Sequence, residues 1–200
     1  MSGHETFEET VERVYAFHTK RAPGIYIGVA MVQYAVEVLG EAAKGKLNAV
    51  CETSTCLPDC LQVMLGCTLG VRYLKLHDEI GRYALTVYNR DNGTGVRVFV
   101  DLDRIDETRT PELARFFRRT RHVPDNKSRE ASAKLVVEEF AREGRNVLGM
   151  QRVQVKRFGK EPILPARICP TCRESFLARD DAHLVCDYCS GASAYYIPES

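Results

Sequence analysis

The 200-residue chain is 44% hydrophobic and 28% charged, a balance that predicts a packed core and excludes wholesale disorder. The formal net charge of +1 argues against a protein that holds nucleic acid mainly through phosphate contacts. No run approaches the roughly 18 apolar residues of a membrane span, and the polar, acidic start is not that of a signal peptide. We therefore expect a cytoplasmic protein without membrane contact.

Helical periodicity dominates the first forty residues. Thr6 and Glu9 have the spacing of a capping box, and the apolar residues that follow recur at helical intervals, which predicts an amphipathic helix over 7–19. A Pro-Gly pair at 23–24 breaks this helix. Residues 25–39 are apolar on nearly all sides, so we expect a second, buried helix there.

Short strands and helices alternate through the remainder of the first 157 residues. A turn signal, Asp-Asn-Gly at 91–93, indicates a hairpin between two of the strands. The predicted strands are 47–52, 72–77, 82–89, 96–100 and 147–157, and the predicted helices are 59–66, 111–120 and 128–143. This pattern predicts an α+β fold, a mixed helix and strand core with a helical insert over residues 1–157.

The composition changes after the last predicted strand. Residues 158–167 have no periodicity and contain one glycine and two prolines, which indicates a linker. Four of the eight cysteines then fall within residues 168–200, which we interpret as a small separate domain. They form two CxxC pairs with 13 residues between them: Cys169, Cys172, Cys186 and Cys189.

The two CxxC pairs predict one tetrahedral metal site of the zinc-ribbon type. Each pair directs two thiolates at one ion, and we expect the intervening hairpin to bring the pairs together. Four thiolates leave no open position, so the predicted ion, one Zn²⁺ per chain, is structural rather than catalytic. A unit this small needs metal binding to fold. Disulfides are disfavoured in a reducing compartment, and an iron–sulfur centre is the remaining alternative.

A second group of cysteines lies in the first domain, and one of them is a candidate reactive residue. Cys56 stands just before a predicted helix start, where amides favour a thiolate. Lys20 would favour the thiolate further, and His18 precedes the Pro-Gly break. We therefore predict that His18, Lys20 and Cys56 face one cleft as candidate catalytic residues, although a core histidine is the simpler interpretation of His18. The remaining three are interpreted as core residues, with Cys60 and Cys67 on one helix face: Cys51, Cys60 and Cys67.

Two further clusters have a simple and a functional interpretation. Four arginines on the predicted helix over 111–121 are most simply a solvated face, with an anion-binding or dimer-facing role as the alternative: Arg115, Arg118, Arg119 and Arg121. Three tyrosines of the ribbon are most simply its packing residues, with an interface patch as the alternative: Tyr188, Tyr195 and Tyr196.

Several segments match a known family in order along most of the chain. They are Phe17-His18 with Pro23-Gly24, Glu52-Thr53, Cys56-Leu57-Pro58-Asp59 with Gln62, Gly66-Cys67-Thr68-Leu69-Gly70, Tyr88-Asn89-Arg90 and the C-terminal ribbon. Together they resemble the FmdE family, named for one component of molybdenum or tungsten formylmethanofuran dehydrogenase, and its stand-alone members. The resemblance implies an α+β core with a helical insert and a ribbon, a homodimer, and molybdo- or tungsto-enzyme subunits as partners.

The chain departs from this family at its FHGHxCPG motif. Lys20 stands in place of the second histidine and Ala22 in place of the cysteine, and Val71 replaces a lysine that follows GCTxG in the family. A protonated lysine has no lone pair for a metal and alanine has no ligand atom. We therefore expect no second zinc in this pocket, or one that is only loosely held.

Three functions follow from these observations. The favoured one is a non-catalytic, zinc-containing accessory protein of molybdopterin or tungstopterin metabolism. The second is a thiol-dependent enzyme or redox protein that acts through Cys56. The third is a ribbon-mediated, nucleic-acid-linked regulator, against which the near-neutral charge argues.

Overall fold

A computed structural model of the chain describes residues 5–159 and 162–197, which belong to two units, Met1–Gly159 and Lys160–Ser200. The first unit begins with helix α1 (Phe7–His18) at the predicted capping box. The hydroxyl of Thr6 accepts from the backbone N–H of Glu9 at 3.2 Å, and the Glu9 carboxylate accepts from the Thr6 N–H at 2.8 Å. A left-handed residue, Thr19 with φ 65°, ends the helix.

The central element of the first unit is helix α2 (Pro23–Leu39), which begins with proline in its first turn. Together with the short turn that follows it, this segment (Pro23–Lys44) is long and apolar enough to cross a membrane by length and composition. In the fold, however, α2 contacts α1, the sheet and two later helices, and ten of its residues are buried. Its all-round hydrophobicity is therefore explained by its place in the core.

A five-stranded sheet packs against α2. The strands are β1 (Leu47–Cys51), β2 (Leu74–Leu76), β3 (Ala84–Asn89), β4 (Thr94–Val100) and β5 (Leu148–Gln154). Their order is β2-β1-β3-β4-β5, with β1 and β2 parallel and the other pairs antiparallel. β2 begins later than predicted because Arg72 adopts a left-handed conformation, φ 61°, which is incompatible with a strand.

Three further helices complete the first unit. α3 (Leu57–Leu65) follows β1, and α4 (Pro111–Arg118) and α5 (Asn126–Glu143) form the helical insert between β4 and β5. The buried Glu139 of α5 accepts from the Leu113 N–H of α4 at 2.7 Å, which joins the two helices of the insert. Because α3 ends at Leu65, Cys67 lies beyond it, and the prediction that Cys60 and Cys67 share a helix face is wrong.

The second unit contains a short antiparallel hairpin, β6 (Ala166–Ile168) with β7 (Ser175–Leu177). Ile168 pairs with Ser175, so the first CxxC pair forms the connection between the strands. The hairpin therefore encloses the first cysteine pair, whereas the prediction placed it between the two pairs. The mixed α+β architecture with a four-cysteine C-terminal unit confirms the predicted fold class.

Candidate functional site

The four cysteines of the second unit converge on one point. All four sulfur atoms lie within 4.8 Å of one another, and the Sγ atoms of Cys172 and Cys186 are 3.9 Å apart. Sulfurs around one tetrahedral ion are roughly 3.8 Å apart when each metal–sulfur bond is about 2.3 Å. The predicted ligand set (Cys169, Cys172, Cys186 and Cys189) can therefore hold one metal ion.

The two knuckles are built alike by the local backbone. In the first, the N–H of Arg173 donates to the carbonyl of Cys169 at 2.9 Å, and in the second the N–H of Ser190 donates to the carbonyl of Cys186 at 3.0 Å. Each knuckle is followed by a left-handed residue, Arg173 with φ 68° and Gly191 with φ 80°. Both turns return the chain tightly enough to present two sulfurs on one side.

The electrostatics of the cluster favour a bound cation. Backbone amides of Cys172 and then Cys186, directed at the sulfur of Cys169, lower the pKa of that thiol to about 6. Burial and then the neighbouring cysteine sulfurs raise the pKa of Cys189 to about 12. One thiolate thus forms readily and hinders the ionisation of its neighbours. A metal cation removes this conflict, because it binds the deprotonated forms together.

A polar network supports the second knuckle. Arg179 donates to both carboxylate oxygens of Asp187 at 2.6 and 2.7 Å, and the Nε2 of His183 lies 3.1 Å from the same carboxylate. The rings of Tyr188 and Tyr196 stack with their centroids 4.2 Å apart. These two tyrosines pack against each other in the ribbon, as the simpler interpretation expects.

In the first unit, Cys56 occupies a strained position at the start of α3. It is the N-cap of the helix with φ 56° and ψ −58°, an unusual conformation for a residue with a side chain. A Cβ on Gly24 would lie 2.8 Å from both the Cys56 sulfur and the Tyr83 oxygen. The hydroxyl of Tyr83 donates to the Gly24 carbonyl at 2.6 Å. The glycine at the start of α2 is therefore required for this close approach.

His18 lies near Cys56 through a shared neighbour. The Nδ1 of His18 is 2.7 Å from the carboxylate of Asp59, which lies in the first turn of α3. The same carboxylate raises the pKa of the Cys56 thiol, second to the effect of burial. Two of the three predicted pocket residues thus belong to one local group.

Lys20 does not belong to that group. It is exposed, and it lines a shallow depression beside α1 together with Glu12 and Tyr15. The left-handed turn at Thr19 ends α1 just before Lys20, a change of direction that helical periodicity does not reveal. The predicted juxtaposition of Lys20 with Cys56 is therefore replaced by a pair, His18 and Cys56, joined through Asp59.

The expected thiolate at Cys56 is also corrected. Burial, followed by the charge of Asp59, raises the pKa of the Cys56 thiol to about 11. The helix start offers little compensation, because Pro58 has no N–H and the Leu57 N–H donates to the Thr55 carbonyl at 2.6 Å. At neutral pH the thiol is protonated.

The other three cysteines of the first unit, Cys51, Cys60 and Cys67, lie in the core. The thiol of Cys60 donates to the carbonyl of Ile25 at 3.7 Å, and that of Cys67 to the carbonyl of Leu47 at 3.6 Å. Burial raises the pKa of Cys67 to about 11. These residues join α2 and β1 to the chain around α3, as the interpretation of them as core residues expects.

A cavity of about 420 Å³ opens beside Cys56. It is lined by residues of three segments: the loop after β1, the segment before β3, and the end of α4 with the chain that follows. Its aromatic residues are Tyr83, Phe116 and Phe117, which the sequence interpretation missed. The only signal for it was the arginine cluster, two of whose members, Arg119 and Arg121, line the cavity.

A buried ion pair fixes the loop that forms one side of this cavity. Glu52, 6% exposed, immediately follows β1. Its carboxylate accepts from Arg97 of β4 at 2.6 and 2.9 Å and from Arg82, just before β3, at 2.7 Å. The loop over 53–56 is therefore anchored to the sheet at its first residue.

These features define a class: an α+β protein with a helical insert and a separate four-cysteine metal-binding unit. The family model described as "FmdE, Molybdenum formylmethanofuran dehydrogenase operon" matches residues 17–156. The chain belongs to the FmdE family, and the predicted resemblance is confirmed.

Two relatives extend the comparison. The crystal structure of an FmdE-like protein of tungsten formylmethanofuran dehydrogenase, from Syntrophus aciditrophicus, is similar with a TM-score of 0.73 and 32% identity, over 95% of both chains. A "probable S-adenosyl-L-methionine-binding protein" from Archaeoglobus fulgidus is 29% identical over 197 residues, which cover 92% of this chain and 52% of the relative. The chain thus spans about half the length of that curated relative.

Proposed function

We propose that this FmdE-family chain is a zinc-containing accessory protein that carries one structural Zn²⁺ and no catalytic centre of its own. The observation that carries the proposal is the convergence of four sulfur atoms within 4.8 Å. With four thiolate ligands the ion has no open coordination position for water or substrate. Its role is then to hold the second unit folded.

Zinc is favoured over an iron–sulfur centre by the spacing of the sulfurs. Cysteines that bind different irons of one cluster lie farther apart than cysteines that share one ion. The separation of 3.9 Å between the Sγ atoms of Cys172 and Cys186 fits a shared ion.

A thiol-dependent enzyme is the weaker candidate. It would need Cys56 as a thiolate, but burial raises the pKa of that thiol to about 11. The adjacent histidine, His18, is already hydrogen-bonded through Nδ1 to Asp59 at 2.7 Å. A nucleophilic cysteine needs a base or cation that favours its thiolate, whereas the charge acting on Cys56 is that of a carboxylate.

The metal content of protein purified without added metal tests the proposal. We expect about one zinc per chain by mass spectrometry of the digested protein, and loss of this zinc in Cys169→Ser. The matched control is Cys56→Ser, which should keep the full zinc content. Iron in place of zinc, or a Cys169→Ser variant with unchanged metal, contradicts the structural zinc. A second zinc that disappears only in Cys56→Ser contradicts the expectation for the first unit.

The proposal includes a cytoplasmic homodimer that assists a molybdo- or tungsto-enzyme. Support for association comes from the family and from exposed apolar side chains of the second unit, with Tyr195 at 89% and Ile197 at 91% exposure. Light scattering over a wide concentration range should give twice the 22.6 kDa chain mass. A monomer mass throughout contradicts the dimer. Binding to purified molybdo- or tungsto-enzyme subunits, measured by calorimetry, tests the accessory role.

A further inference from the structure

The cavity beside Cys56 has a continuous aromatic wall. The rings of Tyr83 and Phe117 meet edge to face with centroids 5.3 Å apart, and those of Phe117 and Phe116 do so at 5.0 Å. The Arg121 guanidinium lies over the Phe116 ring, 4.6 Å from its centroid. An aromatic wall that ends in a stacked arginine presents both an apolar and a cationic surface to a bound molecule.

The charge of the cavity is positive. Among the described residues that line it, two are arginines and none is acidic. Arg119 is exposed, and within the described parts of the chain its guanidinium has no hydrogen-bond or ion-pair partner. Arg121 donates to the hydroxyl of Ser132 at 3.1 Å rather than directly to a carboxylate. Both guanidinium groups therefore keep donors for an anion.

The weakly acidic groups of the cavity do not offset this charge. Burial raises the pKa of Tyr83 well above its ordinary value and that of Cys56 to about 11, so both are neutral at pH 7. The carboxylate that acts on Cys56, that of Asp59, is hydrogen-bonded to His18 at 2.7 Å. Two hydroxyls, those of Thr53 and Thr55, add polar groups to the same rim, 3.1 Å from each other.

We propose that this cavity binds a small oxyanion that carries a planar ring, an aromatic or heterocyclic carboxylate or phosphate. The ring lies against the wall formed by Tyr83, Phe116 and Phe117, and the oxyanion is held by Arg119 and Arg121. The volume of about 420 Å³ is within the range of small-molecule sites. A planar oxyanion matches the fork of guanidinium donors, which is why arginine is suited to carboxylate and phosphate. This site is in the first unit and does not depend on the proposed zinc.

Four probes of graded chemistry test the proposal on the full chain: phenyl phosphate, benzoate, benzyl alcohol and inorganic phosphate. Binding is followed by amide chemical shifts of isotopically labelled protein at physiological salt. We expect phenyl phosphate to bind at least about tenfold more tightly than either benzyl alcohol or inorganic phosphate, because only it uses both surfaces. A comparison of phenyl phosphate with benzoate distinguishes a phosphate site from a carboxylate site. The largest shifts should occur at Thr55, Cys56 and Arg119.

Two variants and a control separate a built site from general charge attraction. Arg119→Gln should weaken phenyl phosphate binding about tenfold while the fold is kept, since the Arg119 side chain is exposed and unpartnered in the described structure. Phe117→Leu should weaken the ring-bearing probes and leave inorganic phosphate unchanged. The control, Arg118→Gln, removes an equal charge from the same helix end, but Arg118 pairs with Glu107 and does not line the cavity. It should change binding less than twofold.

Each contrary result overturns the proposal. Inorganic phosphate that binds as tightly as phenyl phosphate shows that the aromatic wall takes no part. An equal loss in Arg118→Gln and Arg119→Gln shows unspecific attraction, and shifts that map away from the cavity, or no shifts with any probe, exclude the site.

Discussion

Replacing Glu52 by glutamine tests whether the ion pair behind the 53–56 loop stabilises the first unit. The wild-type carboxylate, 6% exposed, accepts three short hydrogen bonds from two guanidinium groups. Glutamine keeps the size but loses the charge, and it presents an NH₂ group where an acceptor is needed. Breaking a buried charge pair costs about 3–5 kcal/mol when the partner remains buried.

The two arginine partners set the magnitude within this range. Arg82 has 62% of its side chain exposed and can rehydrate, whereas Arg97 has only 15% exposed and is left without its counter-ion. We therefore expect the free energy of unfolding of Glu52→Gln to fall by about 3 kcal/mol at pH 7, near the lower end of the range. For a protein of this size the melting temperature should fall by roughly 6–12 °C.

The pH dependence gives a second, independent check. Hydrogen bonding to Arg97 is the largest cause of the lowered pKa of Glu52. A carboxyl group whose pKa is lower in the folded than in the unfolded chain stabilises the fold above its unfolded pKa, about 4.3. This contribution is lost as the pH falls toward the folded pKa. The difference between wild type and Glu52→Gln should therefore be constant above about pH 5.5 and shrink below pH 4.

Urea unfolding followed by far-UV circular dichroism measures both effects, since the chain has no tryptophan for fluorescence. The matched control is Glu41→Gln, which removes an exposed partner of Lys44, with side-chain exposures of 87% and 75%. It should leave the unfolding free energy unchanged within error. A Glu52→Gln variant that is as stable as Glu41→Gln, or a difference that does not shrink in acid, would refute the reasoning.

Three further outcomes are expected. Gly24→Ala should destabilise the fold by about 1–3 kcal/mol, because its Cβ would lie 2.8 Å from the sulfur of Cys56 and the hydroxyl of Tyr83; Gly70→Ala, with nothing within 4 Å, is the control, and equal melting temperatures would contradict the crowding. Thr6→Ala should cost about 1 kcal/mol through loss of the helix cap, and an unchanged unfolding midpoint would show that the cap contributes nothing. Iodoacetamide should label Cys56 at pH 7 at least about 100-fold more slowly than free cysteine, with the rate rising toward pH 9, because burial raises its pKa to about 11; labelling at the free-cysteine rate would favour a thiol enzyme.

Local patterns predicted the elements whose causes are local. The capping box at Thr6 and the all-round apolar run of α2 led to helices that the structure contains. The four ribbon cysteines were also predictable, since a CxxC pair sets the separation of its two sulfurs within one turn. The late start of β2 was not, because a single left-handed residue, Arg72, determines it.

The candidate cavity depends on residues that only the folded chain brings together. Tyr83 and Phe117 are 34 positions apart, in the chain before β3 and in the helical insert, yet their rings meet at 5.3 Å. The arginine cluster was visible in the sequence, but which arginines line a cavity depends on the end of α4, where Arg119 adopts φ 57°. Helix N-terminal amides were expected to favour a thiolate at Cys56, whereas burial proved the stronger effect.

The way in which the cavity walls are supported has a consequence for ligand exchange. One wall, the 53–56 loop, is tied to the sheet through Glu52, while the opposite wall belongs to the insert, whose two helices are joined by Glu139. The contact between the Tyr83 and Phe117 rings links these two parts, and ring contacts slide at lower cost than charged hydrogen bonds break. A molecule that enters would therefore displace the insert as one body over a stationary base. Its presence would be reported by the position of the insert, a surface that a partner protein can recognise.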